Sequence, residues 1–334
     1  QFSRPQLIIV GVAGAVVLFF ALLLLGFIPG ISVTKETTPK ITLTMWGVDA
    51  PIAYAPFFSV YRTAYKDITI TYRQFDEQRY EQELLNALAA GAGPDIFAVR
   101  NTWLPKHYNK IAPLTETQFA FATFQTTYPT VVRQDFSSER IVYALPLYLD
   151  TILTLYNRDI LDRAGIVSPP ATWLELQKSI PTLVKKKQGG ALEQAAAAIG
   201  GSRASIAYAT DLVSLIMLQY GAQMTDDARQ SAMFGDADGQ QAFSFYTQFA
   251  NPSSPVYTWS DAQGSSDDAL ASGKAAMIFD YYETAKTIRS KNPFLALEIA
   301  PAPQISAQEP VAYARYYGLA VSNRSANSNW AWHA

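Results

Sequence analysis

The sequence predicts an α/β protein with a parallel sheet. The order of elements in its first third is strand, helix, strand. In ITLTMWG, Ile41, Leu43 and Met45 alternate with Thr42, Thr44 and Trp46, and ITITYRQF (68–75) reads as a second strand. A helix follows, with Tyr80, Leu84, Leu85 and Leu88 recurring at helical spacing. Gly91 and Gly93 end it in left-handed geometry, Pro94 blocks its restart, and Ile96-Phe97-Ala98-Val99 is the next strand. That succession is the sign of a parallel layer. With 334 residues and 49% hydrophobic content, the chain is long enough for about two domains.

Beyond the first layer, LPLYLDTILTLYNRD (145–159) alternates with period two. Leu147, Leu149, Leu153 and Leu155 fall on one side; Tyr148, Asp150, Thr154 and Tyr156 fall on the other. A single strand with one apolar and one polar face is expected. Leu161 and Ala164 give a short helix stopped at Gly165, and Pro169-Pro170 form a rigid turn. Thr172 caps a helix carrying Trp173, Leu176 and Ile180, with Glu175 at the capping-box position. Lys185, Lys186 and Lys187 read as its solvated end, and LEQAAAAIGG is Ala-rich without being a repeat. Further helices are expected from Asp211 to Gly221 and from Gln240 to Phe249, the latter with Phe243, Tyr246 and Phe249 as a core stripe. DDALASG leads into a strand at Ala275–Phe279, and extended pieces follow at 298–301 and 316–321. A last helix begins near Ala326 and runs to the end of the sequence, which suggests a truncated C-terminus.

Composition narrows the function classes. The net charge of −2 gives no reason to expect a nucleic-acid partner. With no Cys and only His107 and His333, thiol chemistry, thiolate metal sites and histidine-rich metal sites are not expected, nor is a cofactor. The acids form no recognisable catalytic motif: there is no His-Glu-x-x-His, no Gly-x-Ser-x-Gly and no phosphate-cradling loop with Lys. A glycosidase with paired carboxylates is the enzymatic alternative. Leu7 to Ile28 is free of charge, about 22 residues, or about 33 Å as a helix, enough to cross a bilayer core. A cleaved signal peptide is the competing reading, but its apolar region is shorter and ends at a small-x-small site. Residues 1–6 are then a tail, 7–28 a transmembrane anchor and 29–40 (PGISVTKETTPK) a polar linker.

Several motifs, in order, resemble the extracellular solute-binding proteins of ABC importers, family 1, the sugar-binding group that includes the maltose-binding protein. They are LTMWG, ALAAGAGPDIFAV, LPLYLDTILTLYNRDILDRAGI with PPATWLEL, LQYGAQM, FGDADGQQAFSFYTQF, ALASGKAAMIF, IAPAP and GLAVSNRSANSNWAW. The resemblance implies a two-lobed periplasmic-binding-protein type II fold that closes on a solute. Lobe 1 would be 41–147, with 319–334 returning to it, and lobe 2 would be 148–318. Strands near Ala144–Asp150 and Tyr313–Gly318 would cross between them. It implies further a solute, most simply a carbohydrate, delivered to ABC permease subunits by a protein on the extracytoplasmic side of the cell membrane, held by a single-pass anchor. No lipidation Cys is present, a departure from the family. A ligand-sensing ectodomain with a membrane signalling partner is the alternative on the same scaffold.

Sugars present hydroxyls at the rim and C–H groups on the faces. Carboxylates and amides suit the first, Tyr and Trp the second. In the resembled family an acid at the position of Asp150 contacts sugar, and Tyr148 stands beside it. Trp46 and Asp49 follow the first strand, and Asn101 and Trp103 follow the third, at strand ends where ligands collect. Asp280, Tyr281 and Tyr282 follow the strand GKAAMIF, where many relatives carry Gly-x-Trp. Arg315, Tyr316 and Tyr317 lie at the second crossing, and Trp259 is expected on a loop in VYTWSDAQG.

Overall fold

The structure, a computed structural model, describes residues 40–226 and 230–334. The run Leu7–Ile28 lies outside the described residues, and no helix among those described is long and apolar enough to cross a membrane. The chain begins β1 (Ile41–Gly47), α1 (Pro51–Ala64), β2 (Ile68–Gln74), α2 (Glu77–Ala89), β3 (Ile96–Arg100), α3 (Leu104–His107), α4 (Phe121–Thr127) and α5 (Thr130–Phe136). Five short strands follow: β4 (Ser137–Ser138), β5 (Ile141–Val142), β6 (Leu145–Pro146), β7 (Asp150–Thr151) and β8 (Leu153–Asn157). Then come α6 (Arg158–Arg163), α7 (Trp173–Leu183), β9 (Lys185–Lys186), β10 (Leu192–Ala198), α8 (Ala209–Tyr220), α9 (Ala237–Gln248) and α10 (Ser266–Ala271). The last elements are β11 (Ala275–Asp280), α11 (Tyr282–Lys291), β12 (Leu297–Pro301), β13 (Ala314–Arg315), β14 (Tyr317–Val321) and α12 (Ser328–His333).

The chain divides into two units. One takes the described residues up to Ala98, with Tyr108–Leu114 and Ala320–Ala334. The other takes Val99–His107 and Thr115–Leu319. In the first, β1 pairs in parallel with β2 (Ile41↔Ile68) and with β3 (Met45↔Ile96), as the strand, helix, strand order predicts. Leu43, Met45, Ile68, Tyr80 and Leu84 are buried in it. Tyr80 donates its hydroxyl to the carbonyls of Trp46 and Ala98, which ties α2 to the strand ends. Gly91 follows α2 at φ 70, the left-handed exit that a residue with a Cβ resists. Asp95 is structural: its carboxylate accepts from Thr44 N (2.8 Å), Thr44 Oγ1 and Ser325 Oγ. The helix α1 has no counterpart in the periodicity reading. Of its residues only Tyr54 is buried, so its apolar residues do not segregate into a stripe.

The second unit is built on a mixed sheet of order β12-β8-β11-β10-β9. Here β8 is antiparallel to β11 and β12, β10 is parallel to β11, and β9 is antiparallel to β10. Apolar clusters cover both faces. Trp173, Leu176 and Ile180 of α7 join Leu212, Leu215 and Tyr246 on one side. Leu155, Trp259, Leu270, Ile278 and Ile288 form the other. The Ala-rich segment is therefore a central strand whose small side chains are fully covered. The predicted capping box is present: Glu175 N donates to Thr172 Oγ1 at 3.2 Å, and the Glu175 carboxylate accepts from Thr172 N. Gly221 closes α8 at φ 88.

Three expectations are corrected. The stretch 145–159 is not one strand but three, β6, β7 and β8, each in a different sheet. Its one-sided polarity also fails. Leu147 and Leu149 are exposed, whereas Thr154, Leu155, Tyr156 and Asn157 are all buried, because β8 lies between two strands with cores on both faces. Lys185 and Lys186 are exposed but form the edge strand β9, the helix having ended at Leu183. Phe243 is 54% exposed, while Tyr246 and Phe249 are buried. Steps of three residues drift by about 120° over two steps, so the true stripe is Ala242, Tyr246 and Phe249.

Candidate functional site

The segments near 144–150 and 313–318 run side by side in the second unit. Pro146 pairs with Gly318, and Asp150 pairs with Arg315, both antiparallel. Close approach is required at Gly318, where a Cβ would stand 2.6 Å from the Phe136 ring. This pairing sets a carboxylate opposite a guanidinium on adjacent strands.

Asp150 is half-buried. Its carboxylate accepts from the Thr151 N–H at 2.9 Å, and the Tyr282 N–H at the start of α11 is near enough to help hold the charge. Burial pushes its carboxyl up, against the pull of the Thr151 N–H, Arg315 and the Tyr282 N–H. Tyr148, two residues before it, is 42% exposed, and Tyr282, whose backbone N–H bears on the carboxylate, is 47% exposed. Lys286 lies 5.6 Å from the Tyr282 ring centre and pairs with Glu283 at 2.7 Å. The result is a carboxylate fixed by the Thr151 backbone, with accessible aromatic surface on Tyr148 and Tyr282.

Behind it lies a more enclosed group. The Arg315 guanidinium rests 4.5 Å from the Tyr208 ring centre and 5.2 Å from that of Tyr281, and its Nε is 4.0 Å from Asp211 Oδ2. Tyr281 is 2% exposed and donates its hydroxyl to the same oxygen at 2.9 Å. Burial, then the Asp211 charge, holds that phenol well above the usual range. Arg100, at the end of β3, brings a second guanidinium to 3.6 Å from Asp211 Oδ2. Asp280 is buried at the end of β11 and accepts from Tyr281 N (2.7 Å) and Thr284 Oγ1 (2.8 Å). Its carboxyl is pushed up to about 6, chiefly by burial.

That shift has a consequence for stability. The folded carboxyl holds its proton to higher pH than the unfolded one, whose value is 3.8, so the native state binds more protons between about pH 4 and 6. The Asp280 contribution is therefore lost as pH rises through that window, by about 3 kcal/mol over about two units. Asp280→Asn retains an oxygen for both donors. We expect it to match the wild type near pH 4 and to exceed it in stability above pH 7. Urea titrations at a series of pH values check this; identical pH dependences for the two chains would refute it.

The remaining candidates are placed as follows. Asn101 donates to Asp135 Oδ2 at 3.0 Å, and its own Oδ1 is buried without a partner. Tyr316 is buried and donates to Asp135 at 2.7 Å. Trp103 is buried edge-on to Tyr317, with ring centres 6.0 Å apart. Trp259 is fully buried, donates to Ser205 Oγ at 3.0 Å and backs a separate cavity of about 640 Å³ with Lys185, Lys187 and Lys274. In the first unit, Trp46 packs on Phe75 at 4.6 Å under the Arg73 guanidinium, and Asp49 accepts from the Tyr54 hydroxyl at 2.8 Å. The structure thus brings together Asp150, Tyr148, Asp280, Tyr281, Tyr282 and Arg315. Sequence reading missed Tyr208, Asp211, Asp135 and Arg100 as members of this neighbourhood. Asp211 was visible only as the start of a helix. Among the described residues, no group of three or more His, Asp or Glu is placed to hold a metal ion.

The α/β fold thus carries the Asp150 carboxylate beside exposed tyrosine surface. The chain belongs to the bacterial extracellular solute-binding protein family, whose model matches residues 48–332. The family is extracytoplasmic. The fold matches many solved structures. One is the sugar-binding protein MalE of Xanthomonas citri, at 19% identity and TM-score 0.71, over 88% of this chain and 73% of that one. Another is an ABC transporter solute-binding protein of Thermotoga lettingae bound to α-D-tagatose, at 23% identity and TM-score 0.67, over 87% and 75%. A third is UgpB of Mycobacterium tuberculosis with glycerophosphocholine, at 15% identity and TM-score 0.69, over 87% and 72%.

Proposed function

We propose that the chain is the solute-binding component of an ABC importer and takes a carbohydrate or a chemically similar polyol at Asp150. The observation that carries this reading is the half-buried Asp150 carboxylate, held by the Thr151 N–H and drawn toward the backbone of Tyr282, with Tyr148, two residues before it, and Tyr282 both exposed. A carboxylate so fixed accepts from vicinal hydroxyls, and tyrosine faces cover sugar C–H surface. Relatives with this fold carry tagatose, mannitol and mannotriose. The protein performs no chemistry on the solute. The bound solute is handed to permease subunits. Leu7–Ile28 tethers the protein to the membrane, with the binding region on the extracytoplasmic side.

A ligand that binds only the native state adds about 2.7 kcal/mol at a hundredfold excess over its dissociation constant. Dialysed protein is therefore expected to gain thermal stability with at least one member of a panel of mono- and oligosaccharides, polyols and glycerophosphodiesters. A flat response across the whole panel would refute the reading.

A further inference from the structure

The arrangement around Arg315 is that of a cation receptor. Two tyrosine faces lie 4.5 and 5.2 Å from the guanidinium carbon, which is within the range where ring quadrupoles attract a cation. The rings are held mutually perpendicular, with centres 4.8 Å apart. Tyr281 is locked by its hydroxyl on Asp211 and its backbone N–H on Asp280, and Asp211 supplies the counter-charge. Such boxes receive guanidinium and ammonium groups of ligands; here a side chain of the protein fills the box. Other charged groups near it are accounted for. Arg100 shares the Asp211 carboxylate, Asp150 is the cross-strand neighbour of Arg315, and Asp280 is buried behind Tyr281.

We propose that Tyr208, Tyr281 and Asp211 form a cation box that the chain occupies with its own Arg315, and that Arg315 is thereby the specificity-determining residue that bars cationic solutes from the site at Asp150. The selectivity part rests on the solute-binding reading above; the box itself does not. With Arg315 in place, Tyr281 presents no open face. Aromatic coverage of a solute then falls to the exposed Tyr148 and Tyr282, and the solute is one recognised through hydroxyls. Removing the Arg315 side chain leaves a slot of matched charge and shape, since Asp211 and both rings are positioned by other contacts.

The test is chemical rescue. Arg315→Ala is expected to be less stable than the wild type and to regain several degrees of melting temperature with millimolar methylguanidinium. Equal concentrations of sodium chloride or urea should not substitute, and the wild type should not respond. Tetramethylammonium should likewise stabilise Arg315→Ala and leave the wild type unchanged. Adding Asp211→Asn to the alanine variant should abolish both responses. If Arg315→Ala does not fold unaided, its refolding yield with and without methylguanidinium carries the comparison. Equal responses of variant and wild type, or no recovery of yield, would overturn the proposal. Rescue without any response to sugars or polyols would leave the box standing and remove the carbohydrate reading. A sugar response without rescue would do the reverse.

Discussion

Asp150→Asn is expected to fold normally and to bind its solute about 10- to 100-fold more weakly. The magnitude follows from the chemistry of the group. Hydrogen bonds to a charged partner contribute about 1.5–3 kcal/mol, and the amide keeps the shape but loses the charge and one acceptor. The fold is expected to survive because burial already disfavours the ionised form of Asp150. Removing the charge removes that cost, while Asn still offers an oxygen to the Thr151 N–H. Stability and affinity should therefore separate: an unchanged or slightly raised melting temperature without solute, and a much reduced shift with it. Tyr148→Ala and Tyr282→Ala should each cost less, about 0.5–1.5 kcal/mol, since each loses one aromatic face. Calorimetric titration of the three variants with the stabilising solute checks the order. An Asp150→Asn chain that binds as tightly as the wild type would remove this carboxylate from the site.

The contrast between Asp150 and Arg315 shows how far the sequence could be read. The alternation around Leu147–Tyr156 and the Tyr-rich segment ending at Tyr317 marked both as notable, and the structure pairs them across β7 and β13. Periodicity reports neighbours within one element, and it located α2, α7 and α8 because each buries a regular face. The partners of Arg315 are Tyr208 and Tyr281, separated from it by about a hundred and about thirty residues, and no local pattern encodes such a meeting. The cue that existed was chemical: Asp211 opens α8 at a buried position where a lone carboxylate needs cationic or hydroxyl partners. The single-strand reading of 145–159 failed for a related reason. Alternation was assumed to mean one wet face, but β8 is covered on both sides, and the true breaks fall where the chain changes sheets.

Trp173→Ala should be the most damaging single change to the second unit, costing about 3–5 kcal/mol. Trp173 opens α7 and is fully buried. Its ring meets Phe279 of β11 at 5.1 Å and Phe245 of α9 at 6.0 Å, both edge-on. Its Nε1 donates to Gln219 Oε1 at 2.6 Å, and Gln219 in turn donates to the carbonyls of Pro303 and Val311. Truncation thus opens a cavity between three elements and removes the partner of the half-buried Gln219 oxygen, an added cost of up to about 1 kcal/mol. Trp173→Phe should recover most of the packing but not the hydrogen bond, and should fall between. Leu174→Ala, one residue on and exposed, should stay within about 0.5 kcal/mol of the wild type. Urea unfolding followed by far-ultraviolet circular dichroism ranks the three. A Trp173→Ala loss no larger than that of Leu174→Ala would mean that α7 does not pack on β11 as described. The effect should reach the binding site as well, because Phe279 directly precedes Asp280, the last residue of β11, and Tyr281, which caps α11. A loosened core there releases the strand end that holds Tyr281 against Asp211 and that sets the start of α11 near the Asp150 carboxylate.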